Sequence, residues 1–286
     1  MNLLLQVVWD VDPIMVDLGL FAVRYYSLLF ALGFVISYFI IKKIFKKEGT
    51  PIEELDRLLI YVVVGGLVGA RIIHCVFYEA DYFLSGFFPF LEIFFPVSFS
   101  PEFEFIGYQG LASHGGALGI IIAILIFKNK SKNKSFFYLI DRVAIPTGFA
   151  GACIRLGNLF NSEIYGEKTS LPWGFVFVKN NESEPMHPTQ LYEATFYIIT
   201  SIVLLLLYRV ERFRNARGFL LGMFLMMVFG SRLLIEFIKH IQVGFEENLA
   251  LNMGQMLSIP FILAGGFLVW YSLKMDGHTV DVKKNN

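Results

Sequence analysis

LGLFAVRYYSLLFALGFVISYFII, residues 18–41, decides the class of fold. It carries one charge, Arg24, close to its start, and it is long enough to cross a bilayer. About 20 apolar residues at ~1.5 Å rise span the ~30 Å of hydrocarbon. Six further apolar stretches lie near 58–80, 110–127, 136–156, 191–208, 218–238 and 254–273. Of the 286 residues, 56% are hydrophobic and only 17% charged, whereas soluble domains carry about 25% charged residues. The reading is an all-α polytopic membrane protein with seven transmembrane helices, forming a single integral membrane domain over 1–286. A soluble protein with a very apolar core would need shorter runs. The fourth stretch is the weakest, because Asp141, Arg142, Pro146, Gly148, Gly151 and Arg155 interrupt it. A kinked, short or partly re-entrant segment is open there, and such backbone is tolerated only against protein or a water-filled cavity.

Basic residues set the direction. Lys42, Lys43, Lys46, Lys47 and Arg57 follow the first span; Lys128, Lys130, Lys132 and Lys134 follow the third. Arg209, Arg212, Arg214 and Arg217 follow the fifth, and Lys274, Lys283 and Lys284 the last. These are two-thirds of the 24 basic residues, and seven spans put them all on one side. The opposite loops hold only Lys168, Lys179 and Lys239, with Asp81, Glu92, Glu102, Glu104, Glu182 and Glu184. The positive-inside rule then places the N-terminus outside and the C-terminus in the cytoplasm. The outer loops 81–109 and 157–190 are long enough to be lids or substrate-binding elements. Within the first, SGFFPFLEIFFPVS (85–98) reads as a helix or hairpin lying in the outer interface.

Several classes fall away. Formal net charge is zero, which argues against a nucleic-acid partner. The five histidines, His74, His114, His187, His240 and His278, have no metal-ligand spacing. Cys75 and Cys153 read as small buried hydrophobes, with a disulfide as the alternative. MNLLLQVVWDVDP lacks the basic start of a cleavable signal peptide. No internal repeat of the kind common in transporters is evident.

What remains unexplained is charge inside the spans. Arg24, Arg71, Arg142, Arg155, Glu193, Arg232 and Glu236 all lie in apolar surroundings, where each charge costs at least ~2.5 kcal/mol. Each needs a partner, an exit or a task. GACIRLGNLFNSEIYG (151–166) is the densest cluster. If it stays helical, Arg155, Asn158 and Ser162 share a face, and the Arg155 guanidinium offers a rigid fork of donors for a phosphate. The structural alternative is an Arg155–Glu163 pair sealing a helix end. MHPTQLYEA (186–194) starts a helix at Pro188 and buries Glu193, either protonated or paired with an arginine. SRLLIEFIKH (231–240) sets Arg232 and Glu236 four apart in the less favourable order, which points Arg232 towards another helix or a ligand. In SHGGALG (113–119), Gly115 and Gly116 permit close approach of a headgroup or a helix. His114 beside them is a proton acceptor or a structural histidine. Arg142 lies towards the cytoplasmic end, paired with Asp141 or snorkelling.

These segments, with RYYSLLFALGF (24–34), GARIIHCVFY (69–78) and MGQMLSIP (253–260), resemble bacterial prolipoprotein diacylglyceryl transferases in order and over nearly the whole chain. The resemblance implies a multi-pass enzyme of the bacterial inner membrane with its site facing the periplasm. It implies transfer of the diacylglyceryl group of phosphatidylglycerol to the lipobox cysteine of a prolipoprotein signal peptide, with release of glycerol phosphate. Arg155 and Arg232 resemble the arginines that hold the headgroup phosphate, and His114 the essential histidine. Tyr26, Asn158, Glu163 and Glu193 match further family positions, and Gly157 and Gly166 complete the signature. Catalytic roles are therefore expected for His114, Arg155, Arg232, Glu163 and Tyr26. Substrate contacts are expected from Arg155, Asn158, Arg232, Glu193, Gly157 and Gly115. Beyond membrane lipids and the two substrates, no cofactor, metal or nucleic acid is implied, and a monomer is expected. Two departures stand out. Tyr25-Tyr26-Ser27 replaces the family's usual tryptophan-tyrosine-glycine, and Lys239 stands where a second arginine is common. The competing classes are a transporter or channel for an anionic solute, using the same arginines for selectivity, and a non-catalytic lipid-binding scaffold.

Overall fold

Residues 22–24, assigned to the first span by hydropathy, are instead strand. In the computed structural model β1 (Val7–Trp9) is followed by β2 (Ile14–Asp17) and β3 (Ala22–Arg24), and the last two pair antiparallel. Asp12 and Asp17 carboxylates accept the amides of Ile14 and Gly19 at 2.8 and 2.9 Å, and Gly19 takes φ 78°. These turns end extended backbone rather than start a helix. Arg24 is consequently an exposed residue ahead of helix α1 (Tyr25–Lys47), not a charge within it. The structure describes residues 6–19, 22–99, 103–105, 110–131, 134–239 and 251–284, with side chains to Met275 in the last stretch. Glu102, Lys132 and His240 lie outside the described residues, as do the side chains of His278, Lys283 and Lys284.

After α1 come α2 (Ile52–Phe77), the short α3 (Ala80–Phe83) and α4 (Phe87–Glu92), and the antiparallel pair β4 (Val97–Ser98) and β5 (Glu104–Phe105). Then follow α5 (Ser113–Lys130), α6 (Phe136–Phe160), β6 (Phe175–Phe177), α7 (Thr189–Arg209), α8 (Glu211–Asn215), α9 (Phe219–Ile235) and α10 (Met253–Lys284). Among the described residues six helices, α1, α2, α6, α7, α9 with its 3-10 extension, and α10, are long and apolar enough to cross a membrane. This is an all-α polytopic membrane protein. The third expected span, 110–127, falls on the 18-residue helix α5. It opens on Ser113, His114 and two glycines and closes on Lys128, Asn129 and Lys130, so its ends are too polar to stand among the six.

The chain forms two compact units, residues 42–140 and the remainder. In the 42–140 unit, α2 and α5 touch backbone to backbone. A Cβ on Gly65 would meet Gly119 O at 2.7 Å, and one on Gly115 would meet Ile73 Cβ at 2.6 Å. Small residues let membrane helices approach this closely. The buried Arg71 donates from Nη2 to Glu92 O at 2.8 Å and lies 4.8 Å from the Phe83 ring centroid. The Glu92 carboxylate accepts from Tyr82 Oη and Phe99 N at 2.8 and 2.6 Å. One buried Arg–Glu contact thus pegs segment 80–99, while Phe87, Phe88, Phe90, Phe94 and Phe95 stay exposed.

In the other unit α6 is the most buried span, and Pro146 does not break it. The question left open for the fourth stretch resolves as one continuous helix. Phe149 N donates to Ser201 Oγ of α7 at 3.0 Å, so a neighbouring hydroxyl satisfies a backbone amide near the proline. At the other end of α6, Asp141 accepts Gly218 N and Leu221 N at 2.8 and 2.9 Å and anchors the start of α9, while Arg142 lies 5.9 Å from the Tyr208 ring centroid. Strand β1 pairs parallel with β6, and Trp9 Nε1 donates to Leu159 O at 3.0 Å. Leu159, Phe175, Phe177 and Met186 form a buried cluster with Trp9, Tyr165 and Leu191. Residues 157–190 are therefore a packed element and not a slack connection. Cys75 and Cys153 are buried and unbonded.

Candidate active site

Helix α6 stops at Phe160, and the chain then turns back through two residues in the left-handed region, Ser162 (φ 55°) and Ile164 (φ 61°). Ser162 therefore does not continue the Arg155–Asn158 face, as a helix through 162 would require. A β-branched residue at positive φ is an outlier that surrounding structure must hold. The start of α7 holds it: Gln190 Nε2 donates to Glu163 O at 2.7 Å and Thr189 Oγ1 to Ile164 O at 2.8 Å. Gly166 N donates to His187 O at 2.8 Å. A Cβ on Gly166 would lie 2.8 Å from both His187 Cβ and Thr189 Cγ2, so only glycine fits. Burial pushes the His187 imidazole below its ordinary pKa, and its Nδ1 sits 3.3 Å from Tyr192 Oη.

This clamp aims a connected set of charges. Arg155 Nε lies 2.7 Å from Glu193 Oε2, too poorly aligned for a hydrogen bond but a close ion pair. Glu193 is fully buried, and its Oε1 takes Lys239 Nζ at 3.1 Å. Lys239 also donates to Glu236 Oε2 at 3.3 Å, and the same carboxylate oxygen is 3.9 Å from Arg232 Nε. Along these ion pairs three cations alternate with two carboxylates, and a third carboxylate, Glu163, joins through Asn158. Arg155 Nη1 donates to Asn158 Oδ1 at 3.1 Å, Asn158 Nδ2 to Glu163 Oε1 at 2.7 Å, and Asn161 Nδ2 to the same oxygen at 3.1 Å. Glu163 therefore reaches Arg155 through an amide and does not pair with it. Tyr26 packs on Gly157, where a Cβ would meet its ring at 2.7 Å.

Helix α10 supports the far end. Asn252 and Gln255 exchange bonds, Asn252 N to Gln255 Oε1 at 3.1 Å and Gln255 N to Asn252 Oδ1 at 2.8 Å, as a capping box does. Asn252 Nδ2 donates to Glu236 O at 3.1 Å, and a Cβ on Gly254 would strike the Glu236 carboxylate. MGQMLSIP is the seat of Glu236.

The sequence profile of a family described as prolipoprotein diacylglyceryl transferase matches residues 13–271. The chain belongs to that family. Among relatives, the phosphatidylglycerol–prolipoprotein diacylglyceryl transferase of Tolumonas auensis is 42% identical over 266 residues, covering 93% of this chain and 97% of its own. The enzymes of the same name from Bacteroides fragilis and Porphyromonas gingivalis are 39% and 40% identical over 272 and 283 residues. Each match covers 94% of this chain, and 96% and 95% of the respective relative.

For a member of the prolipoprotein diacylglyceryl transferase family, the structure joins Arg155, Asn158, Glu163, Glu193 and Arg232 in one polar network. His114 belongs to the 42–140 unit, exposed at the start of α5, with Nε2 3.2 Å from Tyr78 Oη. Gly115 beside it is packed against α2. Sequence reasoning missed the central place of Lys239, read only as a loop charge in a position where a fork is lost. It is 6% exposed and bridges both carboxylates. Its spacing from Arg232 and Glu236, seven and three residues, was the available signal. Tyr197, four residues after Glu193, was also passed over. It is buried and lies within electrostatic reach of Arg155, Glu193 and Arg232.

Proposed function

We propose that this chain transfers the diacylglyceryl group of phosphatidylglycerol to the sulfur of a prolipoprotein's lipobox cysteine, releasing glycerol phosphate. The observation that carries the reading is the chain of ion pairs through Arg155, Glu193, Lys239 and Glu236, which ends on the partly exposed Arg232. The Arg232 side chain is a third exposed, and its one ion pair among the described residues, with Glu236, is at 3.9 Å. A phosphodiester gives Arg232 the close anionic partner that Glu236, at 3.9 Å, does not. The thiol gives its proton to a base, the sulfur attacks the glycerol carbon bearing the phosphate ester, the S–C bond forms and the C–O bond breaks. The electron pair leaves on the phosphate oxygen as glycerol phosphate. Arg155 and Arg232 bind the developing charge more strongly than the diester, which is what lowers a barrier.

Within this reading Glu163 orients Arg155 through Asn158, Glu193 fixes its guanidinium, and Gly157 with Tyr26 shapes the wall. His114 is the general base, held by Tyr78. His114→Ala should slow transfer by roughly 10²–10⁴-fold and flatten the acid limb of its pH profile; an unchanged rate at every pH removes the assignment. The site opens to the periplasm, α5 is the seventh span, and residues 81–109 and 157–190 cover the lipobox. Because both native cysteines are buried, Asn181→Cys should react with an impermeant maleimide on intact cells and Asn215→Cys only after lysis. The reverse pattern inverts the topology.

The decisive assay mixes purified protein, phosphatidylglycerol and a lipobox peptide. A mass gain of one diacylglyceryl group on the peptide cysteine is expected. Retained lipid without any adduct defines a binding scaffold instead, and flux of an anionic solute a transporter.

A further inference from the structure

We infer that the groove between α2 and α5 is a binding site for an anionic phospholipid, separate from the network proposed for transfer. Its floor is the glycine contact described above. Its walls are the half-buried Tyr61 and the exposed Val64 and Val68 of α2 and the exposed stripe Leu118, Ile122 and Ile126 of α5, enclosing about 510 Å³ of almost wholly apolar space. From Tyr61 to Ile72 the helix rises about 16 Å, close to the ~15 Å depth of one leaflet's hydrocarbon. An acyl chain matches that length and chemistry.

Charge identifies the head. Both stripes run into a cation at the same end: Arg57 lies one turn before Tyr61, and Lys130 one turn after Ile126. Lys130 Nζ is 5.7 Å from the Tyr61 ring centroid, Arg57 Cζ is 5.9 Å from that of Phe127, and the two rings meet edge-on at 5.4 Å. Among the described residues neither cation has a carboxylate within ion-pair distance, and the neighbouring Glu54 is engaged by Ser131 Oγ at 3.0 Å. Two exposed cations at the mouth of an apolar slot of one-leaflet depth suit an anionic head above an acyl chain. A zwitterionic lipid would leave them uncompensated, and a peptide helix would be too wide for a slot between touching helices.

The test counts retained lipid by native mass spectrometry after incubating detergent-purified protein with phosphatidylserine or phosphatidylcholine of the same chains. Two interfacial cations should give an anionic preference of about 30-fold. Arg57→Gln/Lys130→Gln should lose that preference, and Ile122→Trp, which fills the slot, should lose one retained lipid whatever its head. Both should keep the wild-type transfer rate, which separates this site from the other. An unchanged serine-lipid preference in the double variant, or unchanged retention in Ile122→Trp, overturns the inference. The readout is lipid retention, so it holds or fails independently of whether the transfer assay succeeds.

Discussion

Arg155→Gln should slow diacylglyceryl transfer by roughly 10²–10³-fold, the usual consequence of removing one preorganised donor to a developing oxyanion. The same change also leaves the fully buried Glu193 with Lys239 as its remaining cation, and breaking a buried pair destabilises by about 3–5 kcal/mol. Two effects must therefore be separated. Arg155→Gln/Glu193→Gln removes both charges and should recover much of the lost thermal stability without recovering transfer. Arg232→Gln provides the second control. Its side chain is a third exposed and its one ion pair among the described residues is at 3.9 Å, so stability should change little, within about 0.5 kcal/mol, while transfer falls as steeply as for Arg155. Near-normal turnover in both Arg155→Gln and Arg232→Gln would remove the phosphate clamp from the mechanism.

Lys239→Met should be the most destabilising single substitution in the network. The ammonium stands between two carboxylates and is 6% exposed. Its loss sets Glu193 and Glu236 beside an apolar side chain, and the expected cost is again about 3–5 kcal/mol, read as a fall in the unfolding midpoint of the detergent-solubilised protein. Lys239→Arg keeps the charge and should stay folded. If Lys239→Met unfolds at the wild-type temperature, the carboxylates do not depend on this cation and the alternating chain is not what orders the site.

The departure at Lys239 acquires a meaning from this geometry. Lysine cannot offer a bidentate fork, but a compact ammonium can donate to two carboxylates on different elements at once. Arg155 is then free to direct Nη1 to Asn158. Ser27, the other departure, is exposed, and the neighbouring Tyr26 keeps its contact with Gly157.

Much of this was legible in the residues. The apolar runs located every long helix, because burying twenty consecutive apolar side chains in hydrocarbon outweighs local detail, but they did not fix every end: α2 begins before residue 58, and α1 and α10 run past residues 41 and 273 into charged sequence. The start of α1 was also displaced, where Asp12, Asp17 and Gly19 imposed turns that hydropathy does not weigh. Pro146 misled in the other direction. A proline warns of a broken helix, yet Ser201 on a different helix answers the nearby backbone amide. The reversal after Phe160 was hidden for the same reason: Ile164 adopts a conformation its own sequence disfavours, and bonds from Thr189 and Gln190 hold it.

Composition and periodicity alone determined that the chain lives in a membrane, which segments are apolar, where the basic loops fall and which buried charges demand partners. Only the tertiary structure decided who those partners are. Glu193 and Lys239 stand 46 residues apart, and whether they meet depends on how α7 and α9 rotate and cross. That rotation is chosen by contacts summed over whole helix faces, which no local stretch of sequence encodes.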